Sequence, residues 1–517
     1  MIKADLLLKN ANVITLDGPD TREVAILGDR IVALEEVPAR QVIDLDGATV
    51  TPGFHDAHNH MSWYGLTLSE VDVRVTSLDA LYAAIAQAPP GEWIIASGYD
   101  QNKCGGHPTR EGLDRAAQGR KVLVKHTSGH MCVVNSPVLK ELGIAERAIE
   151  VDGGLVVVDG SGRPTGLLQE QAQQLVNPLI LPYPVGTLVD AIDRAGQRYL
   201  REGITSCTEA GIGGGWIGKS PVELEAYHRA REQGKLHVRV ELMVAADVLH
   251  PVTELGIGLD LGIRTGFGDD WLSIGPVKVF SDGSLIGHTA AMCHDFSDTP
   301  GERGYLQGDP DALRSTILAA HKAGWRVATH AIGDAAIDLV LDAYAAAGDP
   351  TRRHRIEHFG VARPDQVRRA RDLGVIPVPQ GRFVNEIGDG MLRALGPERT
   401  QWAYRQRSLL DAGIVVPGSS DRPVVTGAPL LGMHDMVNQQ TASGVPFNPS
   451  EAITGLEALR AFTYGSAYAS KQEHRKGTIS VGKLADLVVL SDSPATVEPG
   501  RIKDIEVLRT MVGGVFR

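Results

Sequence analysis

The chain has four cysteines, Cys104, Cys132, Cys207 and Cys293, and no two of them form a C-x-x-C pair. This spacing leaves no disulfide framework and no zinc knuckle, and points to reduced thiols in a cytoplasmic protein. No uninterrupted apolar stretch is long enough to span a bilayer. The apolar run near the N-terminus, Leu6 to Leu8, is broken by charge too early for a signal peptide. Basic residues are not in excess: the net charge is -12 and the pI about 5.8, which excludes nucleic acid and anionic membrane as main partners. There is no internal repeat, no low-complexity tract and no nucleotide-binding glycine motif; the glycines are spread over many turns. What remains is a hydrophobic share of 43% over 517 residues, enough for one large barrel and a smaller domain.

Both ends of the chain read as short β runs separated by turns. At the start these are Asp5–Lys9, Ala11–Thr15, Glu23–Leu27 and Arg30–Leu34; at the end, Gly482–Leu490 and Ile505–Phe516. Residues 1–50 and 471–517 are therefore expected to build one composite, sandwich-like β domain. Between them, strand-like segments alternate with helical patterns, at 48–58, 204–210, 237–245, 275–281, 325–330, 354–358, 374–380 and 414–420. Eight such units predict an α/β fold, a (β/α)8 TIM barrel over residues 51–470. The excess length lies at 66–200, between the first and second strands, and is expected to roof the active site.

The chemistry gathers where such a barrel needs it, at the C-terminal ends of the strands. His58 and His60 are spaced i, i+2, so on an extended strand they face one point, as two ligands of one metal must. Lys278 lies on the fourth strand, His330 ends the fifth, His358 the sixth, Gln380 the seventh and Asp421 the eighth. Each has an ordinary explanation alone: His330 beside a helix N-terminus, Lys278 as a snorkelling surface lysine, Asp421 as a turn former. Together they point to a metal site. Asp56 has the parity of a residue that orients His58, and Glu209 ends the second strand beside the ligands. In the insertion, His130, Tyr99 and Asp100 are candidate substrate contacts, as is Gln380 in the barrel; His126 reads equally well as packing, and Glu170 reads either as a cap or salt-bridge residue or as an acid reaching the site from the roof.

These motifs resemble those of the amidohydrolase superfamily of metal-dependent hydrolases, in the branch of the N-substituted formamide deformylases. The resemblance rests on Pro-Gly-Phe-x-Asp-Ala-His-x-His from Pro52, Gly98-Tyr99-Asp100, Ser128-Gly129-His130 with Asn135-Ser136, and Gly166-Leu167-Leu168-Gln169-Glu170. It continues through Lys-x-Phe-x-Asp-Gly from Lys278, Thr289-Ala290, His330-Ala-Ile-Gly-Asp, Arg355-Ile-Glu-His, Ser420-Asp-x-Pro and the closing Gly482–Leu490. Two positions depart from the pattern: His288 stands where an arginine is expected, and His55 where an aliphatic residue is usual. The resemblance implies that His58 and His60 hold one metal and His330 and His358 a second. Lys278, carboxylated, would bridge them, and Asp421 would bind the first metal and act as the catalytic base. It implies one or two divalent ions per chain, zinc being the expected one. The implied reaction is cleavage of the C–N bond of an amide, N-substituted formamide or cyclic amide through a metal-bound hydroxide. Deamination of a heterocycle, or a lyase or decarboxylase reaction, is the alternative on the same barrel. The expected partners are a small-molecule amide and a second copy of the chain, with no nucleic acid and no membrane.

Overall fold

The computed structural model describes residues 3–214 and 217–517; residues 1 and 2 of the expected N-terminal segment lie outside the described residues. At its centre are seven parallel strands, β1 Phe54–Asn59, β2 Ile204–Ile212, β3 Arg239–Ala245, β4 Leu272–Phe280, β5 Val327–Ala331, β6 Arg355–His358 and β7 Ile376–Val378, paired in chain order. Strands β1, β2, β3, β5, β6 and β7 are buried throughout, as parallel strands covered on both faces must be. Outward side chains such as Val240, Leu242, Val327 and Ile356 pack on helices Val185–Arg201 and Asp334–Ala347 through Ile192, Tyr199 and Val340. Inside, Ala210, Met243 and Ala328 fill the centre.

The expected eighth strand, 414–420, is not a strand. The segment closes the gap between β7 and β1 as extended chain with an irregular set of bonds. Ala57 N–H donates to Gly418 O (3.0 Å), Asp421 N–H to His58 O (2.7 Å) and His60 N–H to Arg422 O (2.8 Å). On the other side Ser419 Oγ donates to Pro379 O (3.0 Å) and Gln380 Nε2 to Ser419 Oγ (3.2 Å). The physical reason is composition: Pro417 has no N–H to donate, and Gly418-Ser419-Ser420 has weak strand preference. Asp56 compensates by accepting from Ser420 N–H (3.0 Å) and Ser420 Oγ (2.5 Å). Between β3 and β4 the expected helix is replaced by a small hairpin, His250–Val252 with Gly256–Gly258.

The insertion after β1 carries a six-stranded mixed sheet spanning Val71 to Glu170. Helices Leu78–Ala86 and Arg110–Ala117 cover one face, burying Leu81, Ile85, Leu113 and Val124, and start at the caps Ser77 and Thr109. The chain ends form two further sheets, one of four strands and one of five, with Leu8, Ile26, Leu487, Val489 and Met511 between them. Thr49–Pro52 pairs antiparallel with Leu487–Leu490 and runs almost directly into β1. No helix among the described residues is long and apolar enough to cross a membrane.

One buried ion pair joins the terminal sheet to the barrel. Arg239 on β3 grips Asp486 with Nε–Oδ2 at 2.7 Å and Nη2–Oδ1 at 3.1 Å. Asp486 also accepts from Gly513 N–H (2.8 Å). Removing one partner leaves the other charge buried and unpaired, so Asp486→Ala is expected to cost about 3–5 kcal/mol. Thermal unfolding followed at a fixed scan rate checks this; an unshifted transition would show that the pair does not hold the sheet to the barrel.

Candidate metal centre and active site

The strand ends open into one cavity. His58, His60, Lys278, His330, His358 and Asp421 all line it, and so do Leu123, Ser128, His130, Met131 and Val176 of the insertion. All six proposed ligands are nearly inaccessible to solvent.

Each histidine is held from behind. The Nδ1–H of His58 donates to Glu357, whose carboxylate also accepts from Arg355 Nε (2.7 Å) and Nη2 (2.8 Å). His330 Nδ1–H donates to Asp282 Oδ1 at 3.0 Å, and His358 Nδ1–H to Gln380 Oε1 at 2.8 Å. These bonds place the N–H on Nδ1 and turn a bare Nε2 into the cavity. The Nε2 atoms of His58 and His330 are buried and make no hydrogen bond among the described residues. His60 is arranged differently, with Nδ1 3.6 Å from Glu209 Oε1 and Nε2 3.1 Å from Asp421 Oδ1.

Asp421 meets two of these rings: the same Oδ1 lies 3.2 Å from His58 Nε2. Ring centroids of His58 and His358 are 5.1 Å apart, and those of His330 and His358 are 4.5 Å apart. Ligand atoms of His58, His358 and Asp421 all fall within 4.8 Å of one another. Two of these residues reach the cavity through left-handed backbone, His358 at φ +70° and Asp421 at φ +58°. By register the inward residues of β6 are Arg355 and Glu357, while Ile356 packs outward; the turn at His358 brings its ring inward as well.

The protonation states suit a cation. Burial, with His130 and Lys278 nearby, pushes His330 well below the usual histidine range, and burial beside His330 does the same to His358. Burial alone would raise Asp421, but the His58 and His60 rings beside it outweigh that and hold the carboxyl well below its ordinary value. Lys278 is pushed down to about 8 by burial, against the pull of Glu357 and Asp421. Its Nζ lies 4.8 Å from the centre of the Phe280 ring. Asp282, which shares the strand parity of Lys278, does not pair with it but serves His330 and the N–H groups of Ala291, Ile332 and Gly333.

The unmet buried Nε2 atoms of His58 and His330, the neutral imidazoles of His330 and His358 and an ionised carboxylate in one pocket are the donor set of a divalent metal, and the residues present fit one.

Several expected contacts lie elsewhere. Tyr99 is in the core of the insertion, with its hydroxyl 3.2 Å from His107 Nδ1. Asp100 caps the short helix Gln101–Cys104. Neither lines the cavity. Gln380 is fully buried and spends its amide on His358, Val378 O and Ser419, so it positions a histidine and has nothing left for substrate. His126 bonds Ser128 and Gln101. His288 pairs with Asp298 outside the cavity, and His55 lies 3.5 Å from the Thr208 hydroxyl. Asp56 holds the 414–420 segment and accepts from the His58 main-chain N–H (3.2 Å); among the described residues it makes no hydrogen bond to an imidazole. His130 does line the cavity: its Nδ1 is 2.8 Å from Glu170 Oε2, and its ring centroid lies 5.3 Å from that of His330.

Glu357 and Asp282 were not assigned these roles from sequence. The signal was present for Glu357, since alternation along β6 puts Arg355 and Glu357 on one side and the strand-ending histidine on the other.

Comparison with known proteins identifies the family. Residues 41–517 match the model of an amidohydrolase family. The chain is 31% identical to N-substituted formamide deformylase of Arthrobacter pascens over 99% of this chain and 98% of that one. It is also 31% identical to the protein LONG AFTER FAR-RED 3 of Arabidopsis thaliana, over 99% and 91% of the two chains. A metal-dependent hydrolase of Pyrococcus horikoshii has a similar structure, with a TM-score of 0.77, 27% identity, and coverage of 96% of this chain and 99% of that one. The chain thus belongs to the amidohydrolase family, as a metal-dependent enzyme acting on carbon–nitrogen bonds other than peptide bonds.

Proposed function

We propose that this enzyme hydrolyses the C–N bond of an amide, N-substituted formamide or cyclic amide in the cavity above β1, β4, β5 and β6. The observation that carries the reading is the pair of buried Nε2 atoms of His58 and His330, neither hydrogen-bonded among the described residues, facing one space with ionised Asp421, whose Oδ1 lies 3.2 Å from His58 Nε2. His58 and His60 would hold one divalent ion and His330 and His358 a second, with Asp421 on the first; zinc suits these nitrogen and carboxylate donors. Such ions, when bound, polarise a carbonyl and lower the pKa of water.

The residues of the chain do the rest. Asp421 is ionised, so it can accept the proton of the attacking water and deliver it to the leaving nitrogen. His130, steadied by Glu170, faces the same space and would orient the substrate carbonyl. Lys278 is buried and makes no ion pair among the described residues. Near neutral pH part of it is the neutral amine, whose nitrogen can bond to the carbon of carbon dioxide and release a proton. The product is a carbamate, a two-oxygen anionic donor suited to bridging two cations.

Three outcomes test this reading. Asp421→Asn keeps an oxygen ligand but cannot take a proton, so metal content should persist while kcat falls roughly 10²–10⁴-fold; a normal kcat at full metal loading would remove Asp421 from the mechanism. Glu357→Gln weakens the carboxylate behind His58, and chelator competition should report a 10–100-fold loss of metal affinity; an unchanged affinity would make that contact structural only. Lys278→Ala should lose metal and activity, with partial recovery on adding a short carboxylic acid and metal. A carbon-13 carbamate signal in wild-type protein under labelled carbon dioxide should be absent from the variant. A fully metallated, active wild type without that signal would contradict the bridging role.

A further inference from the structure

Three lysines line the cavity, and apart from the proposed metal ligand Lys278 one of them has no acidic partner among the described residues. Lys219, on the loop after β2, lines the same cavity as the histidines. Its main chain is fixed: the N–H donates to Glu223 Oε2 (2.8 Å), and the carbonyl accepts from Tyr183 N–H (3.0 Å). Its ammonium is not fixed by any acid, since Nζ forms neither an ion pair nor a hydrogen bond among the described residues. Of the other two lysines of the cavity, Lys278 belongs to the proposed metal centre and Lys125 is already spent on Glu70, Nζ to Oε1 2.6 Å. Glu223, the acid nearest in sequence, gives its oxygens to the backbone of Lys219 and Gly213 and to the Ser62 hydroxyl.

The position of Lys219 relative to the metal centre is set by a single indole. Lys219 Nζ lies 5.4 Å from a Trp63 ring centroid, and Trp63 lies 5.4 Å, centroid to centroid, from His60. The nearby walls are aliphatic, from Leu123, Val176, Ile180 and Ile217. Burial, reinforced by Lys125, lowers the Lys219 ammonium, and Glu223 only partly offsets this. An ammonium in a half-dry pocket with no counter-ion is an unmet demand for an anion.

We propose that Lys219 selects substrates bearing a carboxylate a short spacer away from the scissile amide. The inference rests on the reading that the scissile bond sits at the histidine cluster. A substrate with a cationic amine at that end would meet Lys219 and Lys125 and be disfavoured. If Lys219 served only to pack on Trp63, its charge would be irrelevant to the choice of ligand.

The test is binding of 4-acetamidobutanoate and of its methyl ester to metal-loaded Asp421→Asn protein, measured by calorimetry. The carboxylate should bind at least about tenfold more tightly than the ester, the worth of one charge-assisted hydrogen bond. Adding Lys219→Met, which keeps the aliphatic stem, should erase that difference; Lys219→Arg should keep it. Equal binding of the two ligands, failure of both to bind, or a difference that survives Lys219→Met would overturn the proposal. Acetate release from either compound by the wild-type holoenzyme is scored separately. If neither is cleaved while the Lys219-dependent binding difference stands, amide hydrolysis fails and carboxylate recognition survives.

Discussion

The carboxylate behind an imidazole decides what that imidazole offers the cavity. With Glu357 on Nδ1 of His58 and Asp282 on Nδ1 of His330, each ring has one tautomer and one orientation, and the bare nitrogen of each points inward. Glu357 is itself fixed by the fork of Arg355, which also donates to Ala57 O at 2.7 Å on β1. A chain of charge-assisted bonds thus crosses the barrel from β6 to β1 and sets the geometry of the histidines before any ligand arrives.

Such a site is costly to keep. Buried nitrogens without hydrogen bonds, a buried lysine and two ligands in left-handed backbone each oppose folding. The surrounding structure outweighs them: continuously buried parallel strands, a large outer core and the bonds that draw 414–420 against β1. The destabilising features concentrate at one end of the barrel, which is what an active site in this architecture requires. Burial there also shapes the charges, keeping His330 and His358 neutral and pushing Lys278 down to about 8.

Much of this was legible in the sequence, and what was not has physical causes. Seven strands could be placed from apolar runs, because parallel barrel strands are buried on both faces and carry a strong signal. The 414–420 segment misled: its spacing fitted an eighth strand, yet Pro417 and Gly418 give it an irregular path held by side chains. Gln380 has the parity to point inward and does, but its amide is exhausted by three protein partners. Tyr99 and Asp100 sit in a motif whose conformation serves the insertion's own core and a helix cap. Contacts of this kind depend on how a sheet of the insertion folds back on itself, and spacing along the chain does not encode that. Lys219 was invisible for the same reason, since a lysine in a glycine-rich loop gives no sign of being enclosed.

The segment Thr49–Pro52 has a further implication. It is a strand of the sheet built by the chain ends, it hydrogen-bonds Leu487–Leu490, and it passes almost at once into the strand that carries His58. Gly53 N–H reaches Asp486 O at 2.8 Å, and Phe54 N–H reaches Gly203 O at 3.0 Å, so the junction is clamped on both sides. The strand bearing the first histidine is therefore anchored by residues more than four hundred positions away in sequence. Local opening of the C-terminal strands would free the base of that histidine arm, so occupancy of the cavity and protection of the chain ends from hydrogen exchange draw on a common opening equilibrium.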